Sequence, residues 1–326
     1  EEVGAILNPL VKEWFFSKFA DFSKTQLCGV VNINARKNIF VSAPTGGTKT
    51  LTAFLSILNY LVELALKKEL EDRVYAVYCS PLKALSNDIY VNLMTPLKEI
   101  NDLADKKNLE MQEIRVGLRT GDTTVAERAK MLRKPPHILV TTPETLAIVL
   151  TSQKFSEKMN KLEFVVVDEV HALMNKRGVY LSITLERLSE VSVFDPVRIG
   201  LSATVSPLEE VASFLVGVDR DCLIADVKLI KEIEIGLSFP GEHILESQTL
   251  ESYDDLYRML DEIIDDHKTT LIFTNTRNAT ERVVHHLEER FPKYAGLIGA
   301  HHSSMSKEKR FEIENKLRQG ELRVVV

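Results

Sequence analysis

The sequence has few cysteines and no excess of basic residues. Three cysteines occur among 326 residues, and Cys28, Cys79 and Cys222 form no CxxC pair. This spacing excludes a metal knuckle and a disulfide framework, and it predicts a reducing, cytoplasmic setting. The formal net charge of −6 excludes an overall basic surface as the means of binding nucleic acid. Any such contact must come from local clefts and backbone donors.

A membrane-spanning run of apolar residues is also missing. The longest apolar stretch, Leu51 to Leu66, is interrupted by Thr52, Ser56, Asn59 and Glu63 at roughly helical spacing. That pattern favours a core helix over a bilayer span, and no signal peptide precedes it. The sequence therefore predicts no membrane partner.

What is present is a regular alternation of short β-branched runs with longer helical patterns. The predicted strands are Ile39–Ser42, Val74–Cys79, Ile114–Leu118, Ile138–Thr141, Phe164–Asp168 and Val197–Ser202. Alternation of this kind predicts an α/β fold, with a parallel sheet covered by helices on both faces. Ligands of such sheets bind beyond the carboxyl ends of the strands.

The length suits about two domains. We predict a first domain over residues 1–224, a crossing segment over 225–250 that contains Pro240-Gly241, and a second α/β domain over 251–326. The second domain begins with a helix over Tyr253–His267, and its predicted strands are Thr270–Thr274, Tyr294–Ile298 and Leu322–Val326. Because the last strand would be left exposed at Val326, we expect the second domain to be incomplete and the chain to be part of a longer polypeptide.

A phosphate-binding loop is predicted after the first strand. It reads Ala43-Pro44-Thr45-Gly46-Gly47-Thr48-Lys49-Thr50, and a long helical pattern follows. Backbone N–H groups of such a turn point at phosphate oxygens, Lys49 adds a positive charge, and the Thr50 hydroxyl can reach magnesium. The glycine that usually precedes the lysine is replaced by Thr48. Because that position commonly has a positive φ, we expect a cost of about 1–3 kcal/mol and impaired nucleotide binding or turnover.

Two adjacent carboxylates end the fifth predicted strand. Asp168 and Glu169 would be costly to bury there unless they served a cation, and Mg²⁺ supplies that reason. Asp168 would hold the ion, and Glu169 would polarise the water that attacks the γ-phosphate. A chance acidic pair at a strand end is the alternative, and the phosphate loop upstream weighs against it. His171, Ser202 and Thr204 are predicted to connect with one another beside this site.

The motifs together resemble the motor domain of superfamily 2 DEAD/DEAH-box nucleic-acid helicases, in the DEVH variant. The resemblance is carried by Gln26, Ala43–Thr50, Ser80–Leu85, Thr141–Glu144, Asp168–His171 and Ser202–Thr204. Among the branches of that superfamily, Arg119–Thr123, Gly200–Val205, Phe273–Arg277 and His301–Ser306 are most similar to the Lhr (large helicase-related) branch. The resemblance implies a complete RecA-like domain and the first half of a second one.

The resemblance also implies roles for single residues. Gln26 would read adenine, although an exposed loop glutamine is the alternative. One group would contact the sugar-phosphate backbone of DNA or RNA without reading sequence: Pro81, Lys83, Arg119, Thr120, Gly121, Thr141, Thr142, Glu144, Thr274, Thr276, Arg277, His301 and Ser303. Because His301-His302 has no ligand cluster nearby, we predict no structural metal there.

The predicted function is ATP- and Mg²⁺-dependent movement along DNA or RNA and its unwinding; the resemblance implies 3′-to-5′ polarity. The family's arginine-rich helix has no counterpart in this sequence, so weak turnover is expected. A second hypothesis is a nucleic-acid clamp or remodelling module whose motor is impaired by Thr48. A third is a double-stranded-DNA translocase that does not unwind. The sequence leaves the oligomeric state open, and we expect a monomer.

Overall fold

The computed structural model describes residues 2–44, 48–81, 83–173, 175–203, 205–227, 234–239 and 250–326. The chain divides into two compact units, Glu1–Lys231 and Glu232–Val326. Each unit has its own sheet and its own hydrophobic core.

The first unit alternates helices with strands. Its strands are β1 (Ile39–Ser42), β2 (Ala76–Cys79), β3 (Val116–Arg119), β4 (Ile138–Thr141), β5 (Phe164–Val167), β6 (Val197–Ser202) and β7 (Leu223–Asp226). Its helices are α1 (Glu2–Ile6), α2 (Pro9–Lys18), α3 (Lys24–Asn34), α4 (Thr48–Lys67), α5 (Lys83–Lys106), α6 (Val125–Arg133), α7 (Pro143–Thr151), α8 (Gln153–Ser156), α9 (Lys176–Val191) and α10 (Leu208–Val216).

All strand pairs of this unit are parallel, in the order β3-β4-β2-β5-β6-β1-β7. One core includes residues of α2 to α5, and a second core includes residues of α7 to α10. Residues of the same strand divide between them: Tyr78 belongs to the first core and Val77 to the second. Both faces of the sheet are therefore covered, which confirms the predicted α/β fold.

The strand predictions hold to the residue for Ile39–Ser42, Ile138–Thr141 and Val197–Ser202, and the other three differ by one or two residues at their ends. Strand β7 was not predicted. It pairs only with β1, and of its four residues only Ala225 is buried. An edge strand with a single buried side chain has too little periodicity to be recognised. Regular structure therefore continues past the predicted boundary at residue 224.

Helix α4 is the apolar stretch that was weighed as a membrane span. Its segment Lys49–Lys67 is long and apolar enough to cross a membrane by length and composition, and 67% of it is buried inside the protein. Leu55, Leu58, Leu61 and Val62 lie in the first core at 0% exposure. The helix packs as a core helix, as its polar interruptions predicted.

The second unit contains α11 (Leu250–Asp266), β8 (Thr270–Leu271), α12 (Arg277–Arg290), β9 (Ile298–Gly299), α13 (Lys307–Gln319) and β10 (Val324–Val325). Its described strands are parallel, in the order β8-β10-β9. They are shorter than predicted, and Tyr294 lies in a 3₁₀ helix rather than a strand. Most of the predicted crossing segment, residues 228–233 and 240–249, lies outside the described residues.

Candidate functional site

The predicted nucleotide motifs converge at one edge of the first sheet. Strands β5, β6 and β1 are neighbours in that sheet, so their carboxyl ends bring Asp168, Ser202 and Ala43 side by side. The Ala43 N–H donates to the Ser202 carbonyl at 3.2 Å. Thr45, Gly46, Gly47 and Thr204 lie outside the described residues.

The ammonium group of Lys49 is held by its own loop. It donates to the carbonyls of Ala43 at 2.6 Å and Pro44 at 3.3 Å. Burial lowers the pKa of Lys49, while the nearby carboxylates of Glu169 and Asp168 raise it. A buried ammonium that is satisfied only by carbonyls, with two carboxylates close by, is suited to bind an anionic oxygen.

Helix α4 begins at Thr48. The first helical residue has helical φ and ψ, with a negative φ that β-branched residues adopt. The backbone strain that the sequence predicted at Thr48 therefore finds no support. The physical reason is that the helix begins one residue before the lysine, so a residue at this position does not need the left-handed region.

Asp168 is held by a tyrosine from the neighbouring strand. The Tyr78 hydroxyl donates to Asp168 Oδ2 at 2.5 Å, and the Glu169 N–H donates to Asp168 Oδ1 at 2.9 Å. Burial raises the pKa of Asp168, and the hydrogen bond from Tyr78 lowers it. Burial and the Asp168 charge raise the pKa of Tyr78 well above its ordinary value, although the nearby Thr50 side chain lowers it.

These contacts fit a magnesium ion. The Asp168 carboxylate is 3% exposed and accepts hydrogen bonds from two neutral donors, while Lys49 donates to carbonyls instead. A buried carboxylate in that situation is stabilised by a bound cation. Mg²⁺ prefers oxygen ligands and is bound through one or two carboxylates together with substrate phosphates. Asp168 and Thr50 would hold it.

Glu169 has different surroundings from Asp168. Its backbone has φ of 48°, in the left-handed region that non-glycine residues rarely occupy and that occurs at functional sites. Its Oε2 lies 3.3 Å from His171 Nδ1. His171 Nδ1 also lies 3.1 Å from Ser202 Oγ, so the predicted contact between these two motifs is confirmed.

A cavity of about 510 Å³ adjoins these groups. Thr50, Asp168 and Glu169 line one end of it, and the rest of its wall comes largely from α2, α4 and α5. Water and phosphate oxygens therefore have room beside the two carboxylates, within the range of ligand-site volumes.

Gln26 is not an exposed loop residue, so that alternative was wrong. It is 3% exposed and forms a capping box with Ser23 at the start of α3: its Oε1 accepts from the Ser23 N–H at 2.8 Å. Helix α3 packs against α4, where a Cβ added at Gly29 would meet Thr52. The adenine-reading role of Gln26 stays a prediction.

The predicted nucleic-acid residues of this unit follow the other half of the sheet. Strands β3, β4 and β2 are consecutive in the sheet. Arg119 and Thr141 are the last residues of β3 and β4, and the other predicted residues, Thr120, Gly121, Thr142, Glu144, Pro81 and Lys83, follow the three strands. The carboxyl edge is thus divided into a nucleotide half and a second half of polar turns. The side chain of Lys83 lies outside the described part.

Hydroxyl contacts to phosphates are not supported for three of these residues. Thr120, Thr141 and Thr142 are 6%, 0% and 4% exposed, and the Thr142 hydroxyl donates to Thr145 at 3.0 Å. Their side chains face the protein because these turns leave buried strands. Contacts from these positions would come from backbone N–H groups, such as those at the start of α7.

One arginine connects two turns in the second half of the edge. Arg177, in the first turn of α9, donates to the Pro81 carbonyl at 2.8 Å and to Glu144 Oε1 at 2.7 Å. Helix α9 follows the Asp168–His171 motif along the chain. Arg119 instead lies over the Phe155 ring, with its guanidinium carbon 4.7 Å from the ring centroid.

The predicted residues of the second unit also follow its strands. Thr276 caps α12 by accepting from the Ala279 N–H at 3.1 Å, and Thr274 Oγ1 lies 2.7 Å from Thr280 Oγ1. Arg277 is exposed at the first position of α12, and Ser303 is exposed in the turn after β9.

The two adjacent histidines each pair with a glutamate. His301 Nε2 lies 3.0 Å from Glu314 Oε1, and His302 Nε2 lies 2.7 Å from Glu281 Oε1. Each of these contacts joins one histidine to one glutamate. Across the described ranges, no group of three or more His, Cys, Asp or Glu residues could hold a metal ion.

Two residues of this site were missed by the sequence analysis. Tyr78 lies in a buried strand, where a phenolic hydroxyl needs a partner, and that requirement was the available signal. Arg177 gave no signal, because a basic residue in the first turn of a helix is ordinarily a solvated one.

The chain matches two known families. Residues 23–211 match the DEAD/DEAH box helicase family, and residues 252–326 match the helicase conserved C-terminal domain. Proteins named ATP-dependent helicase Lhr-Core are 51% identical in Methanocaldococcus jannaschii and 53% identical in Methanothermobacter thermautotrophicus. Each alignment covers 100% of this chain and 38% of the relative, so the chain spans well under half the length of these relatives.

A solved structure is similar over both units. The Mycobacterium smegmatis helicase Lhr, bound to single-stranded DNA and AMP-PNP, is 36% identical with a TM-score of 0.81. The alignment covers 98% of this chain and 41% of that one. The predicted RecA-like class of fold and the predicted branch are confirmed by these similarities.

Proposed function

We propose that this chain, which belongs to the DEAD/DEAH box helicase family, is the motor core of an ATP-dependent nucleic-acid helicase or translocase. The observation that carries the proposal is the convergence of Lys49 and Thr50, which follow β1, with Asp168 and Glu169, which follow β5. The two pairs are 118 to 120 residues apart in sequence, yet only β6 separates the two strands in the sheet. The ammonium of Lys49 and the carboxylate of Asp168 are both buried, yet each is hydrogen-bonded to other groups. Burying two charges in this way is costly, and a purely structural role would not explain that cost.

Each of these residues has its own role in the proposed reaction. The Lys49 ammonium would exchange the Ala43 and Pro44 carbonyls for phosphate oxygens of ATP. Glu169 would accept a proton from the attacking water, and His171 would keep the Glu169 side chain in place through the 3.3 Å contact. Magnesium, held by Asp168 and Thr50, would neutralise charge on the phosphates.

The nucleic-acid track of the motor is proposed to be DNA or RNA, bound by its backbone. Support comes from the row of turns after β3, β4 and β2, because backbone N–H groups in such turns can bind phosphates without reading bases. The similar Mycobacterium smegmatis helicase is bound to single-stranded DNA. Movement in the 3′-to-5′ direction, a cytoplasmic setting and a monomeric state remain predictions.

The proposal is tested by nucleotide binding to Lys49→Ala. Removing a charge-assisted donor to phosphate is expected to weaken binding of a fluorescent ATP analogue in Mg²⁺ by about 10- to 100-fold. The matched control is Lys67→Ala, at the exposed far end of the same helix, which should bind as the parent chain does. Equal affinity of Lys49→Ala and the parent, or no binding by either, would contradict the proposal.

The competing function is a clamp in which Thr48 has silenced the motor. The helical start at Thr48 favours the active motor, because no strained backbone is left for glycine to relieve. We expect Thr48→Gly to change ATP hydrolysis by less than about threefold, with a helix-terminus cost below about 1 kcal/mol. A gain of tenfold or more, measured as steady-state hydrolysis in a polypeptide of the relatives' full length, would instead favour the clamp.

A further inference from the structure

Tyr78 connects the two motifs that make up the candidate magnesium site. Its hydroxyl donates to Asp168 at 2.5 Å, and its ring stacks on Phe54 in α4, the helix that also carries Thr50. Thr50 lies in the helix after β1, Asp168 follows β5, and Tyr78 comes from β2, which is the strand next to β5. One buried side chain thus contacts Asp168 directly and packs against the helix that positions Thr50.

The ring of Tyr78 is itself fixed. It is 1% exposed and stacks on Phe54 of α4, with ring centroids 4.9 Å apart and an interplanar angle of 26°. Phe54 lies one helical turn beyond Thr50 in the same helix, so the ring connects β2 to the start of α4 while the hydroxyl holds Asp168. A side chain locked by packing at one end places its polar end precisely, which a functional site needs.

We propose that Tyr78 is a positioning residue of the magnesium site, which rests on the proposed function. Its hydroxyl sets the distance and orientation of Asp168 relative to Thr50 before the ion binds, so that only a small rearrangement is needed. Groups behind a metal ligand orient it, and their loss typically weakens metal affinity about 10- to 100-fold.

The chain offers a closely matched control. Tyr75 precedes the same strand, is also 1% exposed, and its hydroxyl accepts a hydrogen bond from the Glu71 N–H at 2.9 Å. It lies at the amino end of the strand, away from the magnesium site. Tyr75→Phe and Tyr78→Phe therefore make the same chemical change at opposite ends of one strand, and only the Tyr78 hydroxyl contacts the magnesium site.

The test is a titration of Mn²⁺ binding in the presence of AMP-PNP, in which electron paramagnetic resonance measures the free and bound Mn²⁺. Tyr78→Phe should weaken Mn²⁺ affinity about 10- to 100-fold, and Tyr75→Phe should leave it unchanged. In an Asp168→Asn background, adding Tyr78→Phe should weaken Mn²⁺ much less, because the two residues act as one unit. Thermal unfolding of the metal-free chains should show similar losses for the two Tyr→Phe variants.

Each outcome separates the two proposals. If the parent chain binds AMP-PNP and Mn²⁺ and Tyr78→Phe binds Mn²⁺ equally well, the positioning role is overturned and the proposed function stands. If the parent binds neither, the proposed function fails first. If Tyr78→Phe does not fold, Phe54→Leu is the second variant. It removes the ring that Tyr78 stacks on and keeps the Tyr78 hydroxyl. Unchanged Mn²⁺ affinity in Phe54→Leu would also overturn the positioning role.

Discussion

Glu169→Gln is expected to slow ATP hydrolysis about 10²- to 10⁴-fold while changing nucleotide affinity by less than about threefold. Glutamine keeps the size of the side chain and can still hydrogen-bond His171, but its amide cannot accept a proton. If Glu169 acts only on the attacking water, the loss falls on the rate of the chemical step and not on binding.

The structure gives Glu169 and Asp168 separate tasks. Asp168 is 3% exposed and both its oxygens already accept hydrogen bonds, so it is fixed in place as an ion ligand and is poorly placed to accept a proton. The Glu169 side chain is 28% exposed, lines the adjoining cavity, and contacts His171. Of the two, Glu169 is therefore the carboxylate with access to a water molecule.

Hydrolysis should be measured under single-turnover conditions with Mg²⁺, in the protein at the length of its relatives, beside a separate binding titration. Glu190→Gln is the control, because Glu190 is exposed near the end of α9 and the substitution is chemically identical. A parental rate in Glu169→Gln would assign the proton acceptor to another group. A large loss of affinity would show that Glu169 serves binding.

The fold was largely predictable because its signals are local. Strands β1, β4 and β6 are short apolar runs bounded by polar or turn residues, and the order of the motifs along the chain placed the nucleotide site at the carboxyl edge. Strand β7 escaped prediction because one buried residue carries no periodicity.

The environment of single side chains was less predictable. Gln26 is buried in a capping box and Thr141 faces the core, although both were predicted from motif position to present their side chains to a ligand. Tyr78 and Arg177 act through partners 90 and 96 residues away along the chain. Such contacts depend on strand order and helix placement, which spacing in the sequence does not contain.

A buried arginine near the amino ends of the strands also has contacts that the sequence did not predict. Arg198, the second residue of β6, is 1% exposed, although the sequence predicted an ordinary apolar strand there. Its guanidinium donates to the carbonyls of Leu215 at 3.2 Å and Val216 at 2.9 Å, to Ser189 at 2.8 Å and to Glu186 at 2.8 Å. The two carbonyls end α10, where no helical N–H group is available to them.

Arg198→Met is therefore expected to lower the free energy of unfolding of the first unit by about 3–5 kcal/mol. Methionine fills much of the volume but leaves the buried Leu215 carbonyl without the donor that Arg198 supplies, while the Val216 carbonyl keeps a donor in Arg220 at 2.8 Å. Arg220→Met is the matched control: Arg220 pairs with the same Glu186 at 3.0 Å, yet its side chain is 23% exposed, so a loss of at most about 1 kcal/mol is expected.

Urea unfolding followed by Trp14 fluorescence reports on this unit, because Trp14 is the single tryptophan and lies in its core. Equal losses in the two variants would show that the contacts both arginines make, with Glu186 and the Val216 carbonyl, and not the hydrogen bond to Leu215, are what Arg198 contributes.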